Sequence, residues 1–420
     1  MASPTRIVEL AQAIAADTAL VDAYFQANNI PTPSFDIDGP ARVAIPPHEK
    51  NVAAAHVRVL GATKELHNLI LGPMNMLMGM NVTDQLSLHG VYHFNMASAF
   101  APGTEATFED IAEKCNVSVV DTRRLMRHAM TNHIFREPKP GVVAHTAASK
   151  LLATNPLIKE FVGLKVEEEF PAAARTMDAV EKFGFAQDPG QSGWSLANNT
   201  SEGLYAHFDS TLPERGRRWD KAMSAFAGMI SIDRLLASFD WDSFGTIVDA
   251  GGGYGPVSIA IAQRFSKPKF IVQDLPHAIL DAESRLDEKL KDRIKFEAHD
   301  FLGPQSVKEA DVYFFRAIFH NWPDAFCLRI LRNQIQALKP GARLIVVDPT
   351  LPEPGKLPAY LEKRQRGQDL NMLTYFGARQ RTAEDWQEML READPSFVMR
   401  QALQNVVEGC LVLDIEWMAA

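Results

Sequence analysis

Asp249-Ala250-Gly251-Gly252-Gly253-Tyr254-Gly255 is the stretch of this sequence best suited to hold a ligand. Residues 246–250 read as a buried strand that empties into the glycines, and Pro256 opens the apolar run Val257–Ala262, which reads as a helix. Proline suits the first helical position, where its missing N–H would be unpaired in any case. Strand, glycine turn and helix in that order form a nucleotide-binding corner, where the backbone can approach a ligand closely. A dinucleotide fingerprint needs G-x-G-x-x-G. Counting from Gly251 the sixth residue is Pro256, and from Gly253 it is Ser258, so that pattern is absent. The spacing Gly251-x-Gly253-x-Gly255 suggests instead an adenosyl ligand without a bridging pyrophosphate, such as S-adenosylmethionine, with Asp249 placed to hold an ammonium group.

Other residues with chemical capacity follow the next apolar runs. Phe270–Gln273 ends on Asp274, an acid placed to bind two ribose hydroxyls. Asp300 and Phe301 could accept from an adenine amino group and stack on its ring. Arg316 precedes Ala317-Ile318-Phe319-His320-Asn321-Trp322-Pro323-Asp324, in which His320 sits beyond a strand and before a helix that Asp324 could cap. A neutral imidazole there can take a proton from a hydroxyl. Asp348, after Leu344–Val347, could orient that imidazole and stabilise its charged form. Met372, Tyr375, Phe376 and Trp322 are candidates for lining a substrate pocket.

These residues need a scaffold that gathers strand ends. From Phe244 onward strands near 246–250, 269–273, 294–299, 311–316 and 343–348 alternate with helices, which predicts a doubly wound α/β sheet with ligands at the carboxyl ends of its strands. Upstream, residues 4–25 read as a helix, with Ile7, Leu10, Ile14, Leu20 and Tyr24 near helical spacing. Residues 30–47 form a proline-rich arm, and 53–71 a second helix running into Met74, Met76, Met78 and Met80, read as core filling or as a pocket wall. Phe108–Ala112, a turn at Asn116–Ser118, a helix over Val119–Thr131 with Val120, Leu125 and Met130 on its apolar side, and a hairpin joining Ile134-Phe135 to Val142–Ala144 make a winged-helix pattern, read as a dimerisation scaffold. Residues 155–183 and 203–239 read as helical, the latter with Met223, Phe226, Met229 and Ile230 clustered, and 187–199 as a loop. The expected division is an N-terminal domain over 1–150, a helical connector that lines the pocket over 151–240, and a ligand-binding catalytic domain over 241–420.

Composition excludes several classes of function. A net charge of −9 argues against nucleic acid as a partner, because phosphate binding needs a basic face. Cys115, Cys327 and Cys410 form no CxxC pair or disulfide framework. The first residues lack a signal-peptide pattern, and no apolar run is long enough to span a bilayer. A cytoplasmic protein is expected, with no membrane partner and no metal.

Taken together, Asp249–Gly255, Gln273-Asp274-Leu275-Pro276, His320-Asn321-Trp322-Pro323-Asp324 and Leu338-Lys339-Pro340-Gly341 resemble the plant-type and fungal small-molecule O-methyltransferases. The resemblance runs from about Ala53 to near the end of the chain. It implies a class I methyltransferase fold preceded by a helical, winged-helix dimerisation domain, and a homodimer. It implies S-adenosylmethionine held by Asp249, Gly251, Gly253, Gly255, Asp274, Leu275, Asp300, Phe301 and Arg316. It implies His320 as the base that deprotonates a phenol or enol of a secondary metabolite. Two acids should flank that histidine. Asp348 matches the first, but the second position is Gln380, which can hold a ring and cannot balance an imidazolium. A second function therefore stays open. Some fungal members of this fold act as pericyclases that close rings without methyl transfer, and there Arg316 or protonated His320 would polarise a carbonyl. A transcription factor carrying a degenerate enzyme domain ranks last.

Overall fold

The computed structural model describes residues 4–46, 48–227, 231–404 and 406–419, with residues 224–227 as backbone only. Pro47 of the proline-rich arm, and Met229 and Ile230 of the apolar cluster, lie outside the described residues, as does the side chain of Phe226. The chain divides into two compact units. One holds the chain to Phe170 together with Glu353–Arg364; the other holds Pro171–Pro352 and Gln365 onward.

In the first unit, helix Arg6–Ala27 is tied to helix Lys50–Met78 by Arg6 to Glu65 at 2.8 Å and by Arg58 to Asp17 at 2.9 Å. Only Leu10 and Phe25 of the first helix are buried, and Ile7 and Leu20 of the expected apolar stripe stay exposed. The second helix runs past the expected end at Leu71 and kinks at Gly72, where φ is +72° and Pro73 follows without an N–H to donate. Beyond the kink Met74, Met78 and Met80 are 68–79% exposed. Core filling is thus overturned for these three methionines, while Met76 is half-buried.

A capping box between Thr107 and Asp110, with bonds of 3.0 and 3.1 Å, starts helix Phe108–Cys115. Ser118 caps helix Val119–Thr131. That helix buries Thr122, Met126 and Ala129 and leaves Val120 exposed, so its apolar face is rotated from the expected one. Strands β1 (Glu105–Thr107), β2 (Arg136–Lys139) and β3 (Val142–Ala144) form an antiparallel sheet in the order β1-β3-β2. The hairpin starts later than Ile134-Phe135, because the Ile134 N–H still bonds the Ala129 carbonyl and Phe135 has a φ of +70°.

The second unit carries strands β4 (Thr246–Ala250), β5 (Lys269–Asp274), β6 (Ile294–Ala298), β7 (Val312–Arg316), β8 (Arg343–Pro349), β9 (Phe397–Gln404) and β10 (Cys410–Trp417). Their order is β6-β5-β4-β7-β8-β10-β9; the first five are parallel, and β10 runs antiparallel to both its neighbours. The five parallel strands are those expected from the sequence; the closing pair β9 and β10 was not among them. Alternation along each strand feeds two cores, one on either face of the sheet. Tyr313 and Phe315 enter one core with Leu331, Trp386 and Leu413. Val312 and Phe314 enter the other with Trp241, Ile261 and Val412. The strand order reverses at β4, so the carboxyl ends of β4, β5 and β7 meet at the crevice where such sheets bind ligands.

The expected loop 187–199 holds a short helix, Gly193–Ala197, around fully buried Trp194. The following helical region is three helices: Leu204–Ser210, Pro213–Ala227 and Asp233–Ser238. Among the described residues no helix is long and apolar enough to cross a membrane.

Candidate functional site

Gly251, Gly253 and Gly255 all take positive φ, at +72°, +53° and +70°. The Gly251 and Gly252 N–H groups both bond the Gln273 carbonyl, at 2.7 and 3.2 Å, so the loop is sewn to the end of β5. A Cβ on Gly251 would lie 2.4 Å from Ile318 Cδ1, whereas one on Gly253 would meet nothing within 4 Å. The loop is therefore packed underneath and open in front. Asp274 closes it: one carboxylate oxygen accepts from the Gly253 N–H at 2.8 Å and the other from Leu275 at 2.8 Å. Each oxygen keeps a second lone pair for a hydroxyl. Burial raises the Asp274 pKa, offset in part by these two bonds.

Asp249 does not face the opening. Its side chain is buried beneath the loop, accepts from the Ser258 hydroxyl at 2.6 Å, and is pushed by burial up to about 6. It supports the loop through Ser258 and beside Gly252. Asp300 is exposed and accepts from the Leu302 N–H at 2.9 Å, forming a turn. That turn carries Phe301, whose ring meets Trp322 edge-on at 5.8 Å and lies 3.4 Å from the point where a Gly251 Cβ would stand. Leu275 is half-buried at the end of β5.

The histidine lies on the short turn Phe319–Asn321 after β7. Ala317 enters it at φ +54°, a region that costs a non-glycine residue roughly 1–2 kcal/mol. Two buried charges hold the turn. Asp348 is pushed by burial up to about 7; its Oδ1 accepts from the Ile318 N–H at 3.1 Å, and the N–H groups of His320 and Phe319 also favour its carboxylate form. Arg381, 2% exposed, donates to the carbonyls of Phe319 and Trp322, each at 2.9 Å, and to Asp324 at 3.0 Å. Two expectations change here. Asp348 clamps the backbone of the histidine turn and has no hydrogen bond to the imidazole. Asp324 makes no cap: it is the first residue of helix Asp324–Ile335, and its carboxylate goes to Arg379 and Arg381.

His320 is left with a buried Nδ1 that has no partner, and burial pushes its pKa down to about 4, so the ring is neutral at pH 7. Gln380, 2% exposed, likewise has a buried Oε1 without a partner, while its N–H bonds Asp369 at 2.7 Å. Orphaned buried polar atoms are rare in folded proteins and call for a ligand or a water. Arg316, at the end of β7, is half-buried and makes no hydrogen bond or ion pair among the described residues.

An aromatic group completes the site. The Tyr205 hydroxyl accepts from Asn321 Nδ2 at 3.2 Å; its ring stacks on Phe376 at 5.4 Å and lies 6.2 Å from Trp322. Trp219 meets Tyr375 edge-on at 5.1 Å and Tyr205 at 6.3 Å. Tyr375 and Phe376 are only 3% and 1% exposed, so they back the site from within this cluster; Met372 and Trp322 are half-buried. Sequence reasoning missed Tyr205, Trp219, Asp369 and Arg381. Their partners lie far along the chain, and no local spacing signals them.

Residues 197–395 match the O-methyltransferase domain family. An O-methyltransferase of Aspergillus violaceofuscus, pyvH, is 38% identical over 98% of this chain and 99% of its own length. The chain belongs to the O-methyltransferase family. Two solved structures share its fold. OxaC, in complex with SAH and oxaline, is 21% identical with a TM-score of 0.73, over 97% of this chain and 99% of its own. A structure titled a pericyclic reaction enzyme is 20% identical with a TM-score of 0.69, over 97% of this chain and all of its own.

The clamp on the histidine turn can be measured. Arg381→Met removes a buried cation that donates to the Phe319 and Trp322 carbonyls and shares Asp324 with Arg379. It should lower unfolding free energy by on the order of 3 kcal/mol, read from the urea midpoint. An unchanged midpoint would show that the turn holds without Arg381.

Proposed function

We propose that this enzyme methylates a hydroxyl of a small aromatic or enolic metabolite, with His320 taking the hydroxyl proton. The observation that carries the reading is a neutral, buried imidazole with an unpartnered nitrogen, on a clamped turn beside the glycine loop. S-adenosylmethionine, when bound, supplies an electrophilic methyl group. The residues present fit it. The glycine loop is open at Gly253, where a side chain would occupy the free space. Asp274 has free lone pairs for ribose hydroxyls, and Leu275, Asp300 and Phe301 stand beside them for the adenine.

The other groups orient the acceptor and keep water out. Tyr205, Trp219, Trp322 and Phe376 make an aromatic wall for a planar substrate. The Gln380 Oε1 is free to accept from the substrate. A second reading rests on Arg316: an unpaired, half-buried guanidinium could polarise a carbonyl in a ring closure.

His320→Ala should lower kcat by roughly 10²–10⁴-fold with a panel of phenols and enols, while calorimetry shows S-adenosylmethionine affinity within a few-fold of wild type. Loss of affinity in step with rate would make the histidine structural. A wild-type product of unchanged mass, with Arg316→Ala more damaging than His320→Gln, would favour ring closure.

Gly251→Val places a branched side chain at positive φ against Ile318 and Phe301. It should weaken S-adenosylmethionine binding by more than about 10-fold, since close backbone approach depends on glycine there. Wild-type affinity would put the cofactor elsewhere.

We also propose a homodimer built on the first unit. Leu69, Ile70, Met74, Leu77, Met78 and Met80 are 47–79% exposed around the Gly72 kink, an apolar surface of the kind that marks an interface. Light scattering on the full chain should report a dimer, and the double substitution Ile70→Lys with Leu77→Lys a monomer. A dimer that survives both charges would move the interface off this surface.

A further inference from the structure

A cluster in the first unit takes no part in the methyl-transfer site. Helix Thr83–His93 carries His89 and His93 one turn apart, on one face. Across from them, Glu167 lies in the middle of a six-residue π-helical segment, Leu164–Glu169, which interrupts the helical run between Pro156 and Phe183. Such segments are uncommon and recur at functional positions, because the extra residue in the turn re-aims the side chains. Here Leu164, Val166 and Glu168 are buried, while Glu167 is turned toward the two imidazoles.

A single oxygen, Glu167 Oε1, lies 3.2 Å from His89 Nε2 and 2.9 Å from His93 Nδ1. All the donor atoms fall within 4.8 Å of one another. Holding this arrangement with protons alone requires both rings to donate to one oxygen, one from Nε2 and one from Nδ1. A metal ion between the three atoms needs no such matching. Around a tetrahedral zinc, neighbouring ligand atoms are about 3.3 Å apart, near the two separations observed. The His93 side chain is 56% exposed and those of His89 and Glu167 are 30% and 26% exposed, so the cluster is open to solvent on one side. His89 is steadied by edge contacts with Phe170 at 6.2 Å and with His93 at 5.5 Å.

We infer that His89, His93 and Glu167 form a binding site for one divalent transition-metal ion of the zinc class, with water in the fourth position. Two imidazoles and a carboxylate are the donor set such ions select, whereas calcium and magnesium favour all-oxygen cages. The ion would cross-link helix Thr83–His93 to the π-helical segment within one unit and would take no part in methyl transfer. This revises the expectation of no metal. The His89–His93 spacing was visible in the sequence, but Glu167 lies 74 positions from His93.

The test uses the full-length protein after dialysis against a chelator, titrated with zinc alone and followed by calorimetry. One equivalent should bind to wild type. His93→Ala and Glu167→Gln should each weaken that binding by more than about 100-fold, beyond the 10–100-fold typical of a partner one shell further out. Cobalt in place of zinc should give visible d–d absorption that both variants lose. Zinc should raise the Tm of wild type and leave that of Glu167→Gln unchanged, which shows that the variant is folded. The inference is overturned if wild type takes up no equivalent of zinc, or if both variants bind zinc as wild type does.

Discussion

The catalytic half of this molecule depends on a clamp around three residues. The turn Phe319–Asn321 is gripped from opposite chemical sides: Asp348 accepts its N–H groups, and Arg381 donates to the carbonyls at and just after it. Backbone polar groups in a buried turn must be paired, and its own short-range bonds and the Cys327 thiol pair only part of them. Two charged side chains from distant elements supply the partners. They also hold Ala317 in a conformation it would not keep alone. The price of the clamp is the burial of Asp348 and Arg381, which their mutual attraction, Asp324 and the main-chain dipoles offset.

The glycine loop obeys the same logic in a different way. Its N–H groups go to the Gln273 carbonyl and to Asp274, both at the end of the neighbouring strand. The loop is thus part of the sheet's edge, and its shape follows from the pairing of β4 with β5. Asp249 belongs to this support: buried and bonded to Ser258, it joins the strand end to the helix that follows. Ile318, which leads into the histidine turn, packs against Gly251, so the glycine loop and that turn are in contact. A side chain at Gly251 would disturb both.

The aromatic cluster is assembled mainly from elements outside the parallel strands. Tyr205 and Trp219 come from helices upstream of the sheet, and Phe376 from a helix that follows β8. None of them belongs to the strands that carry Asp274, Arg316 and Asp348. Their rings meet edge-on or stacked at 5–6 Å, an arrangement that rewards shape and tolerates exchange of one ring for another. Apart from Trp322, which follows the histidine turn, the aromatic cluster and the strand-end residues are therefore supplied by separate elements.

By itself the sequence determined the parts whose signal is local. Apolar runs of five or six residues marked the parallel strands, the glycine triplet marked the loop at the end of β4, and His320 was placed just after a strand at the open end of the sheet. The helices after Thr107 and Ser118 were also legible, and the structure shows both residues capping them three residues on. Only the tertiary structure decided what the charged residues do. Asp348 lies 28 residues beyond His320, and Arg381 lies 61 beyond it, so whether either meets the ring or the backbone depends on how β7, β8 and the loop before helix Ala383–Ala393 stack. Glu167 is aimed at His89 and His93 by a π-helical turn that has no periodicity to read. Local propensity acts over a few residues; the pairing of a buried charge is settled by whichever partner the assembled sheet and helices bring within 3 Å.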